Sequence, residues 1–246
     1  MHPILFEIGP LKIYSYGFMV AVAFILGAYL ARLEAARQDV EPDVIVNLSL
    51  VLAISAILGA RALYVLQNLK FYIEYPGAIF MLQRGGLSFY GGLILATISA
   101  VIFLKRQRLS VIKIFDIVCP YLALAQAIGR IGCFLNGCCY GRPAENIGRH
   151  PVQLYASFNL LVIFVILRMF QAKRKKEKAY FPGEVFLLYC LLYSVSRFFM
   201  EYLRGDNLPL WANLTLHQLI SAVIFIVSSL IWSRKMLRIT RLARGR

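Results

Sequence analysis

The sequence predicts an all-α, polytopic transmembrane helical bundle of about seven spans, and three observations carry that prediction. First, the 246 residues are 60% hydrophobic and only 16% charged, with a mean hydropathy of +0.68. A soluble domain of this length cannot bury that much apolar side chain. Second, the apolar residues fall into tracts long enough to cross a bilayer, which takes about 20 residues for roughly 30 Å of hydrocarbon. Third, the basic residues gather between those tracts rather than on one soluble face.

In order, the tracts cover residues 16–33, 44–66, 85–104, 111–128, 152–170, 183–203 and 216–232. Glycines and Pro120 interrupt the third and fourth. The amino-terminal stretch MHPILFEIGPLKIYSYG does not run from a charged leader through an apolar core to a small-residue cleavage site, so the first span is expected to stay in place.

Cytoplasmic loops carry the excess of Lys and Arg. One set of loops holds Arg32, Arg37, the run from Lys105 to Lys113, the run from Arg168 to Lys178, and Arg234 to Arg246. The other set holds Lys12, Lys70, Arg84, Arg130, Arg142, Arg149, Arg197 and Arg204, fewer than half as many. An outside N-terminus and a cytoplasmic C-terminus follow. The net charge of +15 is thus expected to meet membrane lipid headgroups, and no nucleic acid. A single membrane domain over 1–246 is expected, with a small extracytoplasmic element around 133–150. The five cysteines, Cys119, Cys133, Cys138, Cys139 and Cys190, lack paired C-x-x-C spacing, so no metal, cofactor or disulfide framework is expected.

Ionisable residues in or at the rim of a span are expensive, which makes each one a functional candidate. Arg130 opens GRIGCFLNGCCYGR, where glycines permit turns that present N–H groups to an anion. Its planar fork of donors matches phosphate oxygens, although an isolated Arg at a helix end is more often a snorkelling side chain. Arg197 and Glu201 lie four apart in YSVSRFFMEYLR and share a helix face, with Arg204 beyond them and Tyr193 one turn before. A purely structural ion pair is the plain alternative. RHPVQLYAS places His150, Gln153 and Tyr155 at the rim of the fifth span. Tyr16 begins the first span, where tyrosines also populate the interfacial belt. Arg61, well inside the second span, should meet a carboxylate, a carbonyl or a lipid phosphate. Together these residues describe a phosphate-attracting pocket facing outward. No G-x-S-x-G or pair of intramembrane aspartates marks a protease, and Asp116 is the one aspartate inside a tract.

SYGFM, GARALYVL, RGGLSFYGGL, GRIGCFLNGCCYGR, HPVQLY, SRFFMEYLR and LHQLIS follow one another along nearly the whole chain. In that order and spacing the sequence resembles the prolipoprotein diacylglyceryl transferase family. The resemblance implies transfer of a diacylglyceryl group from phosphatidylglycerol to the thiol of a lipobox cysteine in a prolipoprotein signal peptide, in a bacterial inner membrane. It implies essential roles for Arg130, Arg197 and Tyr16, and matches Gly141, Glu201 and Tyr193 to family positions. It places Tyr90 where the family often has histidine, and Cys133 and Cys138 where it often has asparagine and glutamate. Tyr90, a poor base at neutral pH, is therefore expected to position substrate, and His150 or the departing phosphate to take the proton. A lipid or anion transporter built on the same arginines is the alternative, weakened by the absence of a convincing internal repeat.

Overall fold

Without water in a bilayer core, backbone groups must be satisfied within the segment, so apolar tracts of this length become helices. The computed structural model describes residues 2–8, 11–81, 85–145, 148–177, 181–205, 207, 210 and 213–244. Arg84, expected in an outer loop, lies outside the described residues, as do Lys178 and Arg246 of the basic runs. Seven helices are long and apolar enough to cross a membrane, and the protein is a multi-pass membrane protein. Large apolar side chains such as Ile25, Ile54, Phe158 and Phe199 are exposed, as lipid-facing residues are. The chain forms two compact units, residues 1–31 with 115–246, and residues 32–114.

The first unit opens with a hairpin that composition did not foretell, β1 (Ile4–Ile8) paired antiparallel with β2 (Leu11–Tyr14). Lys12 and Glu7 face each other across it at 3.2 Å. The His2 N–H donates to the Leu135 carbonyl at 3.0 Å, which ties the hairpin to α5 (Val111–Asn136). Directly after the hairpin comes α1 (Ser15–Arg37). The rest of the unit is α6 (Val152–Glu177), α7 (Glu184–Tyr202) and α8 (Leu216–Arg244), with β3 (Pro143–Ala144) and β4 (Gly148–Arg149) between α5 and α6. Its core joins Cys119, Ala123, Ile163, Leu167, Val185 and Tyr189.

Asp116 belongs to that scaffold. Its carboxylate accepts the backbone N–H groups of Gly183 at 2.6 Å and Phe186 at 2.8 Å, capping the start of α7.

The second unit contains α2 (Pro42–Gln67), α3 (Leu69–Glu74), a 3-10 turn (Pro76–Phe80) and α4 (Phe89–Arg106). Small residues bring α2 and α4 together at backbone distance. A Cβ added at Gly59 would collide with the Gly91 carbonyl, and one added at Gly91 with that of Gly59. Arg61 is buried here. Its guanidinium donates to the carbonyls of Ala78 at 2.6 Å, Ile79 at 2.8 Å, Gly85 at 2.8 Å and Gly86 at 2.9 Å. Tyr64 and Tyr72 supply ring faces at 6.0 and 5.4 Å. Of the three partners foreseen for Arg61 it has found carbonyls, and it holds the segment that leads into α4. Arg61→Ala should lower stability by about 3 kcal/mol, since several carbonyls lose a charged donor at once. A fall in thermal midpoint in detergent checks this, and an unchanged midpoint would show that the segment is held by other means.

Three helices run well past their expected ends, α8 the furthest, to Arg244 rather than 232. α5 continues eight residues past 128 to Asn136, and α6 runs to Glu177 rather than 170. In α5 the helix runs through Gly129 and Gly132, which were expected to permit turns, and Gly132 serves close packing instead, lying against Met19 and the backbone of Tyr16. In α6 the basic residues are good helix formers that continue beyond the apolar tract.

Candidate functional site

α5 and α7 finish where α1, α6 and α8 begin, and most of the expected site residues lie at that end of the first unit. Arg130 projects from the penultimate turns of α5 and is half-buried. Arg197 and Glu201 occupy the last turns of α7, with Arg204 just past it. Tyr193 stands one turn before Arg197, its ring stacked on Tyr189 at 5.6 Å. Arg197 lies within electrostatic range of Glu201, Arg204, Tyr193 and Arg130. The exposed Tyr16 hydroxyl is likewise in range of Arg130 and of Cys133, Cys138 and Cys139.

The carboxylate is fully committed. Arg197 Nη2 meets Glu201 Oε2 at 2.9 Å, off the angle of a hydrogen bond. Glu201 Oε1 accepts from Thr215 Oγ1 at 2.9 Å and from Asn207 Nδ2, and His217 Nδ1 stands 3.5 Å away. Of Asn207, Thr215 and His217, only His217 lies in a stretch that the sequence marks out, LHQLIS, while Asn207 and Thr215 carry no sequence signal.

Arg130 differs from Arg197. Among the described residues its guanidinium makes no hydrogen bond or ion pair, although it is half-buried and stands near two other arginines. A guanidinium in such a place is suited to meet an anion.

Gly141 lies in a loop clamped on both sides. Its N–H donates to the His150 carbonyl at 3.2 Å, and the His150 N–H returns to Arg142 at 3.1 Å. On the other flank Gly141 bridges Arg204, Arg142 N–H donates to Leu203 at 2.9 Å, and Arg142 Nε donates to the Arg204 carbonyl at 3.2 Å. The loop thereby joins the end of α7 to the start of α6. Gln153 Nε2 donates to the Cys138 carbonyl at 2.7 Å, so it fixes the loop. His150 Nδ1 is buried and has no hydrogen-bond partner among the described residues.

Tyr90 and Arg61 belong to the second unit. Tyr90 is the second residue of α4, with an exposed ring 5.7 Å from that of Phe89.

The spacing of the cysteines concealed a convergence. The Sγ atoms of Cys133, Cys138 and Cys139 lie within 4.8 Å of one another. The Cys139 thiol is held below the ordinary thiol range, first by its hydrogen bond with Cys133 and then by the Arg204 guanidinium, the hydrogen bond with Cys138 and Arg130. The guanidinium groups here can therefore stabilise negative charge on oxygen and on sulfur.

The family model described as prolipoprotein diacylglyceryl transferase matches residues 3–234. Among similar proteins, one from Clostridium tetani is 36% identical over 95% of this chain and 97% of its own length. One from Bacillus licheniformis is 35% identical over 93% and 90%, and one from Staphylococcus aureus 35% over 92% and 86%. All three are named phosphatidylglycerol–prolipoprotein diacylglyceryl transferase. With the match running through the arginine loops and nearly end to end, the chain belongs to the prolipoprotein diacylglyceryl transferase family.

Proposed function

We propose that the protein transfers the diacylglyceryl group of phosphatidylglycerol to the lipobox cysteine thiol of a prolipoprotein. Its N-terminus lies outside, its C-terminus lies in the cytoplasm, and the site opens toward the extracytoplasmic leaflet of a bacterial inner membrane. The half-buried guanidinium of Arg130, which has no hydrogen bond or ion pair among the described residues and lies within electrostatic range of Arg197, carries this reading, because it supplies the positive charge that a lipid phosphate needs. Family membership does not favour the transporter alternative.

In the reaction, the thiol sulfur attacks the glycerol carbon that bears the phosphate. A C–S bond forms, the C–O bond to phosphate breaks, and the leaving group is glycerol 1-phosphate. The thiol proton ends on that phosphate monoester, directly or by way of His150, so the charges balance. Negative charge on the phosphate oxygens grows as the C–O bond stretches. Arg130 and Arg197 stabilise it more in the transition state than in the diester, and this difference accelerates the step. Guanidinium charge also favours the thiolate form of the acceptor. Glu201 holds Arg197 in place, and Arg204, Tyr16, Tyr193, Gly141 and Gln153 shape the headgroup site. Arg61 acts through the Ala78, Ile79, Gly85 and Gly86 carbonyls it holds, and Tyr90 orients substrate through its hydroxyl.

Purified protein given phosphatidylglycerol and a fluorescent lipobox peptide should produce a mobility shift that needs the peptide cysteine. A well-folded preparation giving no shift would overturn the reading. Tyr90→Phe should lower the rate by about tenfold, the scale of one lost neutral hydrogen bond. Full activity in that variant would remove Tyr90 from the site.

A further inference from the structure

The proposed lipid transfer assigns no step to Cys133, Cys138 or Cys139, yet the backbone is shaped to gather them. Cys133 projects from the last turn of α5. The chain then reverses at Gly137, with φ 78°, and again at Cys139, with φ 59°. The left-handed region suits glycine and is disfavoured for a residue with a Cβ. The Cys138 N–H donates to the Cys133 carbonyl at 3.2 Å, and Gln153 holds the Cys138 carbonyl at 2.7 Å. Cys133 is buried, and the other two are partly so.

We propose that these three thiols form a three-coordinate thiolate site for Cu(I). Metal–sulfur bonds of about 2.3 Å put the sulfurs of a trigonal set about 4.0 Å apart, and the three atoms already lie within 4.8 Å of one another. Soft thiolates select Cu(I) and Zn(II). Structural Zn(II) takes four protein ligands, and among the described residues no fourth His, Cys, Asp or Glu joins the cluster. Cu(I) is satisfied by three. Three thiolates around Cu(I) leave two negative charges, and Arg130 and Arg204 stand within electrostatic range of Cys139 to offset them. Binding displaces the thiol protons to solvent and changes no oxidation state. The ion would tie the end of α5 to the loop that follows it.

The full-length protein, reduced and in detergent, is titrated anaerobically with Cu(I) against a chromophoric Cu(I) chelator, and separately with Zn(II). One Cu(I) per chain is expected, with thiolate-to-copper absorption in the ultraviolet and affinity at least about tenfold above that for Zn(II). Cys133→Ser, Cys138→Ser and Cys139→Ser should each weaken binding by about 100-fold, while Cys119→Ser and Cys190→Ser keep it. Should a serine variant fail to fold, maleimide labelling of the unaltered protein decides. One equivalent of Cu(I) should protect the three clustered cysteines and leave labelling of Cys119 and Cys190 unchanged. No stoichiometric binding, tighter binding of Zn(II), or protection elsewhere would overturn the site.

Discussion

Replacing Arg130 with alanine should lower the rate of lipid transfer by about 1,000-fold while leaving the helices intact, because in the proposed reaction this guanidinium meets the phosphate and among the described residues it makes no hydrogen bond or ion pair. Arg197 has Glu201 as a partner at 2.9 Å, and its removal also strands a buried carboxylate. Arg130 has no such structural duty among the described residues, so its loss reads directly on the reaction. Arg130→Lys should recover only a small part of the rate, since a point charge lacks the planar fork that spans two phosphate oxygens. Initial rates with the fluorescent peptide measure both variants, and circular dichroism shows that the fold survives. A lysine variant with full activity would mean that charge alone suffices and that the fork geometry is idle. With Arg130 and Arg197 acting on one phosphate, as proposed, the double variant should lose far less than the product of the single losses.

Gly141→Ala should impair the protein by a different route. The new Cβ would lie 2.5 Å from the His150 carbonyl oxygen, 2.6 Å from Val152 Cγ2 and 2.8 Å from His150 Cβ. The first of these is backbone and already accepts the Gly141 N–H, so it cannot swing aside without surrendering that bond. Overpacking of this kind costs about 1–3 kcal/mol, and here it falls on the loop that joins Arg204 to His150. Activity should fall by about tenfold or more, with faster amide exchange confined to residues around 140–150. Normal activity with native exchange protection would show that the loop has slack that its contacts do not reveal.

The membrane spans were legible because the bilayer imposes a length and a composition that survive without knowledge of tertiary contacts. The ends of the spans were not. Gly129 and Gly132 read as turns, yet α5 passes through both, and Gly132 provides room for Met19 and Tyr16. Glycine permits a turn and a close approach equally well, and only the neighbour decides between them. Arg130, Arg197, Glu201 and Arg204 were legible through the high cost of charge near lipid. Arg61 was legible for the same reason, but the carbonyls of Ala78, Ile79, Gly85 and Gly86 that satisfy it bear no side-chain signature. The cysteine cluster was hidden because its spacing matches no regular motif and its convergence depends on two left-handed residues. The hairpin at residues 4–14 is too short to announce itself beside seven helices.

The crossing of α2 and α4 makes a mechanical statement about the second unit. Helices separated by bulky side chains can slide, because rotamers re-seat one at a time. At Gly59 and Gly91 peptide groups rest on peptide groups, and a sliding step would have to lift the two backbones apart. The pair is a welded joint. Tyr90 lies one residue before the weld on α4 and Arg61 two residues after it on α2, so the phenol and the guanidinium keep a fixed spacing. Any rearrangement of this unit should therefore spare the α2–α4 crossing and fall on the segments that enter and leave the two helices.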